Sequence, residues 1–258
     1  MSDPIQLLFG GLTHLAPGDD DSTAYVLSLL PRQAFELVVD VGCGTGRHTL
    51  VLAEKLKTLV HAVDLYDFFL DDLMEKARSR HLEAFIQTHC LDMEDLSETF
   101  QNIDLLWSEG SAYSIGFSHA LNSWRKLIKP EGFLVVSELT WLSDKKPNRA
   151  QTFFESEYPA MQSVEENLAV CEKAGYKILQ TYTLPTRGWE QYYDPLKLRA
   201  QSLQSHEDPT VQEFAQGMLE EIAVFEECGD RYGYVFFILQ PSGSSLSVPQ
   251  NFALTINS

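Results

Sequence analysis

The sequence predicts an α/β protein built on a parallel, doubly wound sheet with helices on both faces. Three observations carry that expectation. Short apolar runs alternate with helix-length amphipathic segments between about residues 36 and 136. The first apolar run leads directly into a glycine-rich turn, Gly42-Cys43-Gly44-Thr45-Gly46, which opens a helix. The second run ends on an acidic residue, Asp64.

Residues 1–34 read as an N-terminal arm, in which Gly18-Asp19-Asp20-Asp21-Ser22 supplies a turn with N-cap chemistry. Ser22 to Leu30 forms a short helix that Pro31 stops. Glu36 to Val41 is the first strand, and its apolar run reads as a buried parallel strand. A helix from Arg47 to Lys57 follows the glycine turn, then a strand over Val60 to Val63 and a helix from Asp67 to Arg80. The third strand spans Ala84 to Thr88, with Cys90-Leu91-Asp92-Met93 as its loop, and the fourth spans Ile103 to Trp107. A helix from Gly116 to Ile128, closed by Pro130 and Gly132, precedes the fifth strand, Phe133 to Val136. Right-handed crossovers bring the C-terminal ends of such strands to one edge, where ligands bind.

The second half changes texture. Ser163-Val164-Glu165-Glu166 is a capping box opening a helix that Gly175 ends. Tyr176 to Leu184 and Tyr232 to Leu239 read as the last two strands. Between them lies a helical insertion or lid, 185–230, whose residues Val211, Phe214, Ala215, Met218, Leu219, Ile222 and Phe225 fall at helical spacing. That stripe is either lid core or the face of a homodimer. The expected domains are therefore an arm, 1–34, a ligand-binding core, 35–184, the insertion, 185–230, the last core strand, 231–240, and a flexible tail, 241–258.

Composition narrows the function. The chain has 258 residues, 44% of them apolar, enough for one α/β domain with a sizeable core. No apolar run approaches the roughly 18–20 residues that span a bilayer, and Met1-Ser2-Asp3-Pro4 lacks the positive start of a signal peptide, which places the protein in the cytoplasm. Cys43, Cys90, Cys171 and Cys228 show no metal or disulfide spacing, and the seven histidines form no ligand motif, so no metal is expected. A net charge of −18 and a pI near 4.7 make nucleic acid and anionic membrane poor partners.

Glycines after the first strand let a ligand approach the backbone, and Asp64, about 20 residues on, can accept two hydrogen bonds from a ribose diol. Together they indicate an adenosine cofactor. The dinucleotide fingerprint G-x-G-x-x-G is not met: the third glycine comes one residue early and Arg47 stands where a small residue is needed. Asp40 to Gly46 instead matches in full the pattern D/E-x-G-x-G-x-G of the class I S-adenosylmethionine (SAM)-dependent methyltransferases. Trp107 to Phe117, Ser137 to Asp144, Glu157 to Tyr176, Gly188 to Leu196 and Tyr232 to Gln240 resemble bacterial small-molecule methyltransferases related to the ubiquinone/menaquinone group.

That resemblance implies a Rossmann-like, seven-stranded, mostly parallel sheet with a helical insertion before its last strand. It implies SAM as cofactor, S-adenosyl-L-homocysteine as product and a small-molecule methyl acceptor as partner. Gly42 and Gly44 would admit the methionine portion, Asp64 would hold the ribose and Asp92 with Met93 the adenine, with Asp40, Cys43, Leu65 and Ser108 as further cofactor-binding residues. The arm departs from the family, carrying Ala16-Pro17-Gly18-Asp19 where Gly-Pro-Gly-Ser is expected. Glu109 and His119 are the candidate bases, although positioning alone can lower this barrier. Tyr113, Trp141, Tyr158, Trp189 and Tyr192 are candidate aromatic walls of the acceptor site, and Arg187 a candidate anchor for an acidic group. A nicotinamide-dependent oxidoreductase and a catalytically silent SAM-binding module are the alternative readings.

Overall fold

The computed structural model describes residues 3–243; the tail expected over 241–258 lies, beyond Gly243, outside them. In chain order the elements are α1 (Pro4–Phe9), α2 (Asp20–Ser28), β1 (Val38–Val41), α3 (Arg47–Leu56), β2 (Val60–Asp64), α4 (Asp67–Ser79), β3 (Ile86–Cys90), β4 (Ile103–Ser108), α5 (Phe117–Arg125), β5 (Ile128–Trp141), α6 (Asn148–Glu157), β6 (Gln162–Ser163), α7 (Val164–Lys173), β7 (Tyr176–Thr183), α8 (Thr186–Leu203), α9 (Pro209–Cys228) and β8 (Tyr232–Pro241). No described helix is long and apolar enough to cross a membrane.

The sheet runs β3-β2-β1-β4-β5-β8-β7, with the two-residue β6 added beside β5. β1 to β5 pair in parallel, and β8 inserts antiparallel between β5 and β7. Alternate residues divide two apolar layers, as period-2 strands must. Val38, Leu105, Phe133 and Val135 face one core, and Val39, Leu106, Leu134 and Val136 the other.

Several boundaries differ from expectation, each for a local reason. β3 begins two residues late, because a single 3-10 turn at Glu83–Phe85 precedes it, and it runs on to pair Cys90 with Asp64. β5 is far longer than its apolar centre: residues 134–141 pair with β8 to the end. α6 lacked a legible periodic signal, and the first half of the insertion is the 18-residue helix α8 despite Pro195 in its interior. The buried stripe Trp189, Tyr192, Tyr193, Leu196 and Ala200 outweighs the one hydrogen bond that Pro195 cannot make. The 211–225 stripe on α9 packs within its own chain, against α8, α6 and α1. The capping box at Ser163 and Glu166 forms as expected.

Candidate functional site

The turn after β1 is fixed by its own backbone. Gly42 and Cys43 both donate to the Val63 carbonyl, at 2.9 and 3.0 Å, and Gly44 donates to Asp64 Oδ2 at 2.8 Å. Two glycines are obligatory on steric grounds. Gly42 has φ +69°, and a Cβ there would lie 2.3 Å from Ser111; Gly46 has φ +82°, and a Cβ there would lie 2.0 Å from Leu73 on α4. The loop thus seats α3 close to α4 and opens a cleft along the ends of β1 to β4.

This cleft has a volume of about 550 Å³. Gly42, Cys43, Gly44, Asp64, Leu65, Asp92 and Met93 all line it. Asp64 is half-buried; burial raises its carboxyl, against the opposing pull of hydrogen bonds from the Tyr66 and Gly44 amides. Oδ1 accepts from Tyr66 N at 3.1 Å and Oδ2 from Gly44, and the carboxylate lines the cleft. Asp92 accepts from the Glu94 amide through Oδ1 at 2.9 Å. Met93 lies beside it, its sulfur 3.5 Å from the Ser114 hydroxyl.

Two lining residues were not legible in the sequence. Ser111, not Ser108, faces the cleft; its hydroxyl is 2.7 Å from that of Ser108 and donates to the Val41 carbonyl at 2.9 Å. His14, on the arm that covers the cleft, has a buried Nε2 without a protein partner. Burial first, then the nearby Arg47, lower its pKa to about 4, so the ring is neutral at pH 7. The arm is held by Thr45 Oγ1, which donates to the Leu12 carbonyl at 2.9 Å. Where the arm departs from the family pattern, Asp19 caps α2 by accepting the Ser22 amide at 2.9 Å.

A second cavity, of about 430 Å³, adjoins the first beneath the insertion. Tyr113 stands at the junction and lines both, and its ring meets Tyr158 edge-on with centroids 5.9 Å apart. Trp189 stacks on Phe225 at 4.6 Å, and with Tyr192, Tyr193 and Tyr234 it forms one wall.

Five expected site residues fall elsewhere, and a sixth, Glu109, borders the cleft with both oxygens already engaged. Asp40 is wholly buried beneath the loop, where it accepts Thr49 Oγ1 at 2.5 Å and lies 3.0 Å from His48 Nε2, so it supports the turn without lining the cleft. Ser108 sits behind Ser111. Glu109 borders the cleft but is no free base: Oε1 accepts Trp107 Nε1 and Thr23 Oγ1, both at 2.8 Å, and Oε2 accepts Arg47. Burial opposes ionisation there, yet Arg47 and then His48 hold the carboxyl below its ordinary value. This ion pair also explains Arg47 at a position where a dinucleotide fold needs a small residue. His119 lies on the outer face of α5, 56% exposed, 3.3 Å from Glu94. Trp141 packs against Phe154 and Tyr232, outside both cavities. Arg187 binds Asp19 at 2.7 Å and Asp21 at 3.2 Å, which ties α8 to the arm.

This strand order with its single antiparallel strand, and a glycine turn and carboxylates at the ends of β1 to β3, define the class I methyltransferase architecture. A family model described as Methyltransferase domain matches residues 38–132. Phosphoethanolamine N-methyltransferase 1 of Zea mays is 21% identical over 210 residues, 81% of this chain and 41% of that protein. Malonyl-(acyl-carrier protein) O-methyltransferase of Methylovorus sp. (strain MP688) is 32% identical over 116 residues, 43% of this chain and 39% of that protein. The chain thus spans about two fifths of the length of both curated relatives. Among solved structures, a SAM-dependent methyltransferase from Thiobacillus denitrificans in complex with S-adenosyl-L-homocysteine matches with a TM-score of 0.78 at 16% identity, covering 93% of this chain and 99% of that one. The chain has the fold of the class I SAM-dependent methyltransferases.

Proposed function

We propose that this chain binds SAM in the first cavity and transfers its methyl group to a small molecule held in the second. The observation that carries this reading is the junction: Leu15, Ala16, Pro17, Phe69, Gly110 and Tyr113 border both spaces. A donor in one and an acceptor in the other would meet there, away from bulk water.

The residues fit the cofactor. Asp64 retains acceptor capacity for a ribose diol, and Asp92 with Met93 offers a carboxylate and an apolar surface for adenine. The Gly42 to Gly44 backbone leaves room for the methionine portion, with Ser111 and the neutral His14 as nearby hydrogen-bonding groups. When bound, SAM supplies an electrophilic methyl group on a sulfonium. The protein's own work is positional. The arm and the insertion cover the junction, Tyr113 fixes its width, and catalysis comes from alignment and exclusion of water. Glu109, paired with Arg47, holds the wall rather than a proton.

The finer kinship with the ubiquinone/menaquinone group rests on the sequence blocks at Trp107 to Phe117 and Gly188 to Leu196. A cytoplasmic location likewise rests on sequence composition.

Thermal unfolding with and without S-adenosyl-L-homocysteine tests the reading, with NADH as control. Stabilisation by S-adenosyl-L-homocysteine alone is expected, of roughly 2.7 kcal/mol at a hundredfold excess over Kd. Asp64→Ala should weaken that binding about tenfold or more, the value of hydrogen bonds to a carboxylate. Stabilisation by NADH instead, or unchanged affinity in Asp64→Ala, overturns it.

A further inference from the structure

The second cavity is as informative for its charge as for its shape. Among the described residues no Lys, Arg or His lines it, whereas Glu157 and Glu221 do. Glu221, half-buried on α9, accepts the Tyr193 hydroxyl at 2.8 Å and has no basic partner among the described residues. Glu138 lies behind the wall on β5 and is 1% exposed. Its Oε1 accepts the hydroxyl of Tyr158, a lining residue, at 2.6 Å, and its Oε2 has no partner. Both side chains adjoin the same wall: the Tyr234 phenol is held well above its ordinary range by burial first, with Tyr113, Glu138 and Glu221 adding to it.

A carboxylate withdrawn from water without a counter-cation, as Glu221 is, is costly, and a cation that enters offsets that cost. The aromatic faces of Trp189, Tyr192 and Tyr113 add a second attraction for positive charge. An anionic acceptor would meet like charge and no basic donor. Phe9, Phe214, Met218 and Leu139 suit a hydrocarbon body.

Resting on the methyl-transfer reading above, we propose that the acceptor is an organic amine, cationic on arrival and carried on an apolar or aromatic body, with Glu221 recognising its charge. The ammonium gives one proton to a wall carboxylate or to water. The nitrogen lone pair then forms the bond to the methyl carbon as the carbon–sulfur bond breaks, and that electron pair stays on sulfur. The products are the methylated ammonium, S-adenosyl-L-homocysteine and one released proton.

Two matched triads test this: phenethylamine, 2-phenylethanol and phenylacetate, and hexylamine, 1-hexanol and hexanoate. Their binding is titrated by tryptophan fluorescence and calorimetry on wild type and Glu221→Gln, which keeps an acceptor for the Tyr193 hydroxyl. S-adenosyl-L-homocysteine affinity is measured separately on both proteins. Each amine should bind about tenfold or more tightly than its alcohol, with no binding by the carboxylates. Glu221→Gln should erase the amine preference and leave S-adenosyl-L-homocysteine affinity unchanged. Equal or tighter binding of an alcohol or carboxylate overturns the inference, as does an amine preference that survives in Glu221→Gln, or no binding of either amine at millimolar concentration. S-adenosyl-L-homocysteine binding without an amine preference sinks this inference alone. An amine preference without S-adenosyl-L-homocysteine binding sinks the methyl-transfer reading, and with it the acceptor role, while leaving the amine site at Glu221.

Discussion

Replacing Glu138 by Gln should make the protein more stable at alkaline pH and leave it nearly unchanged near pH 5. Glu138 is almost wholly buried, and burial pushes its carboxyl from the ordinary 4.5 up to about 8, against the opposing pull of the Tyr158 hydroxyl. The folded protein therefore holds a proton here that the unfolded chain releases. Stability from that proton is fully present below pH 4.5 and is lost as pH rises through about 8. Integrating the difference in bound protons between those two values gives a loss of about 3–4 kcal/mol from pH 5 to pH 8. In a chain of this size that corresponds to about 7–14 °C in Tm. Gln has the shape of the protonated acid and still accepts the Tyr158 hydroxyl, so the variant isolates the titration from the packing. The neighbouring Tyr158, Tyr113, Tyr234 and Cys171 are all raised above their ordinary values and stay neutral across this range. Differential scanning calorimetry of both proteins from pH 5 to pH 9 reads the effect as the difference in Tm. A difference that is flat in pH would refute the reasoning, because it would mean that Glu138 ionises as an exposed glutamate does.

Three further outcomes follow from the site. Arg47→Met should cost about 3–5 kcal/mol in urea unfolding, since it leaves Glu109 charged, buried and unpaired; Glu109→Gln added to it should recover much of that loss, and a cost below about 1 kcal/mol for the single variant would mean that the pair is weak. Gly46→Ala should destabilise by about 2 kcal/mol or more, through a positive φ and the overlap with Leu73, and unchanged urea stability would show that α3 and α4 can separate freely. His119→Ala should leave stability within about 0.5 kcal/mol and methyl transfer unaffected; a large loss of kcat would restore His119 to the site.

How much was legible in the sequence depended on whether the signal was local. The glycine turn, Asp64 and Asp92 each sit at the end of a strand with a clear apolar pattern, so their convergence follows once right-handed parallel topology is assumed. Side-chain direction is not local. Ser108 and Ser111 are three residues apart in one loop, and only the course of the chain past Gly42 decides that Ser111 faces the cleft. Glu109 was correctly placed at the sheet edge, but its engagement depends on Arg47, Thr23 and Trp107, two of them far away in sequence. Arg47 itself was read as an obstacle to one cofactor, whereas its role is a buried ion pair that no periodicity reveals.

The acceptor chamber shows the same limit from the other side. Trp141 and Trp189 belong to equally aromatic stretches, yet Trp189 lines the chamber and Trp141 packs outside it. What separates them is the helix each residue meets. Trp189 lies on α8, turned toward α9 and the end of β8, while Trp141 ends β5 against α6. Glu138 carries the point further. In sequence it is one acid among many in a chain of net charge −18. In the fold it stands on a central strand between β4 and β8, where no surface charge belongs. Burial there leaves one oxygen without a partner and one on a tyrosine of the chamber wall. Burial keeps such a group protonated rather than charged, and among the cavities described only the acceptor chamber is bordered by its partner Tyr158.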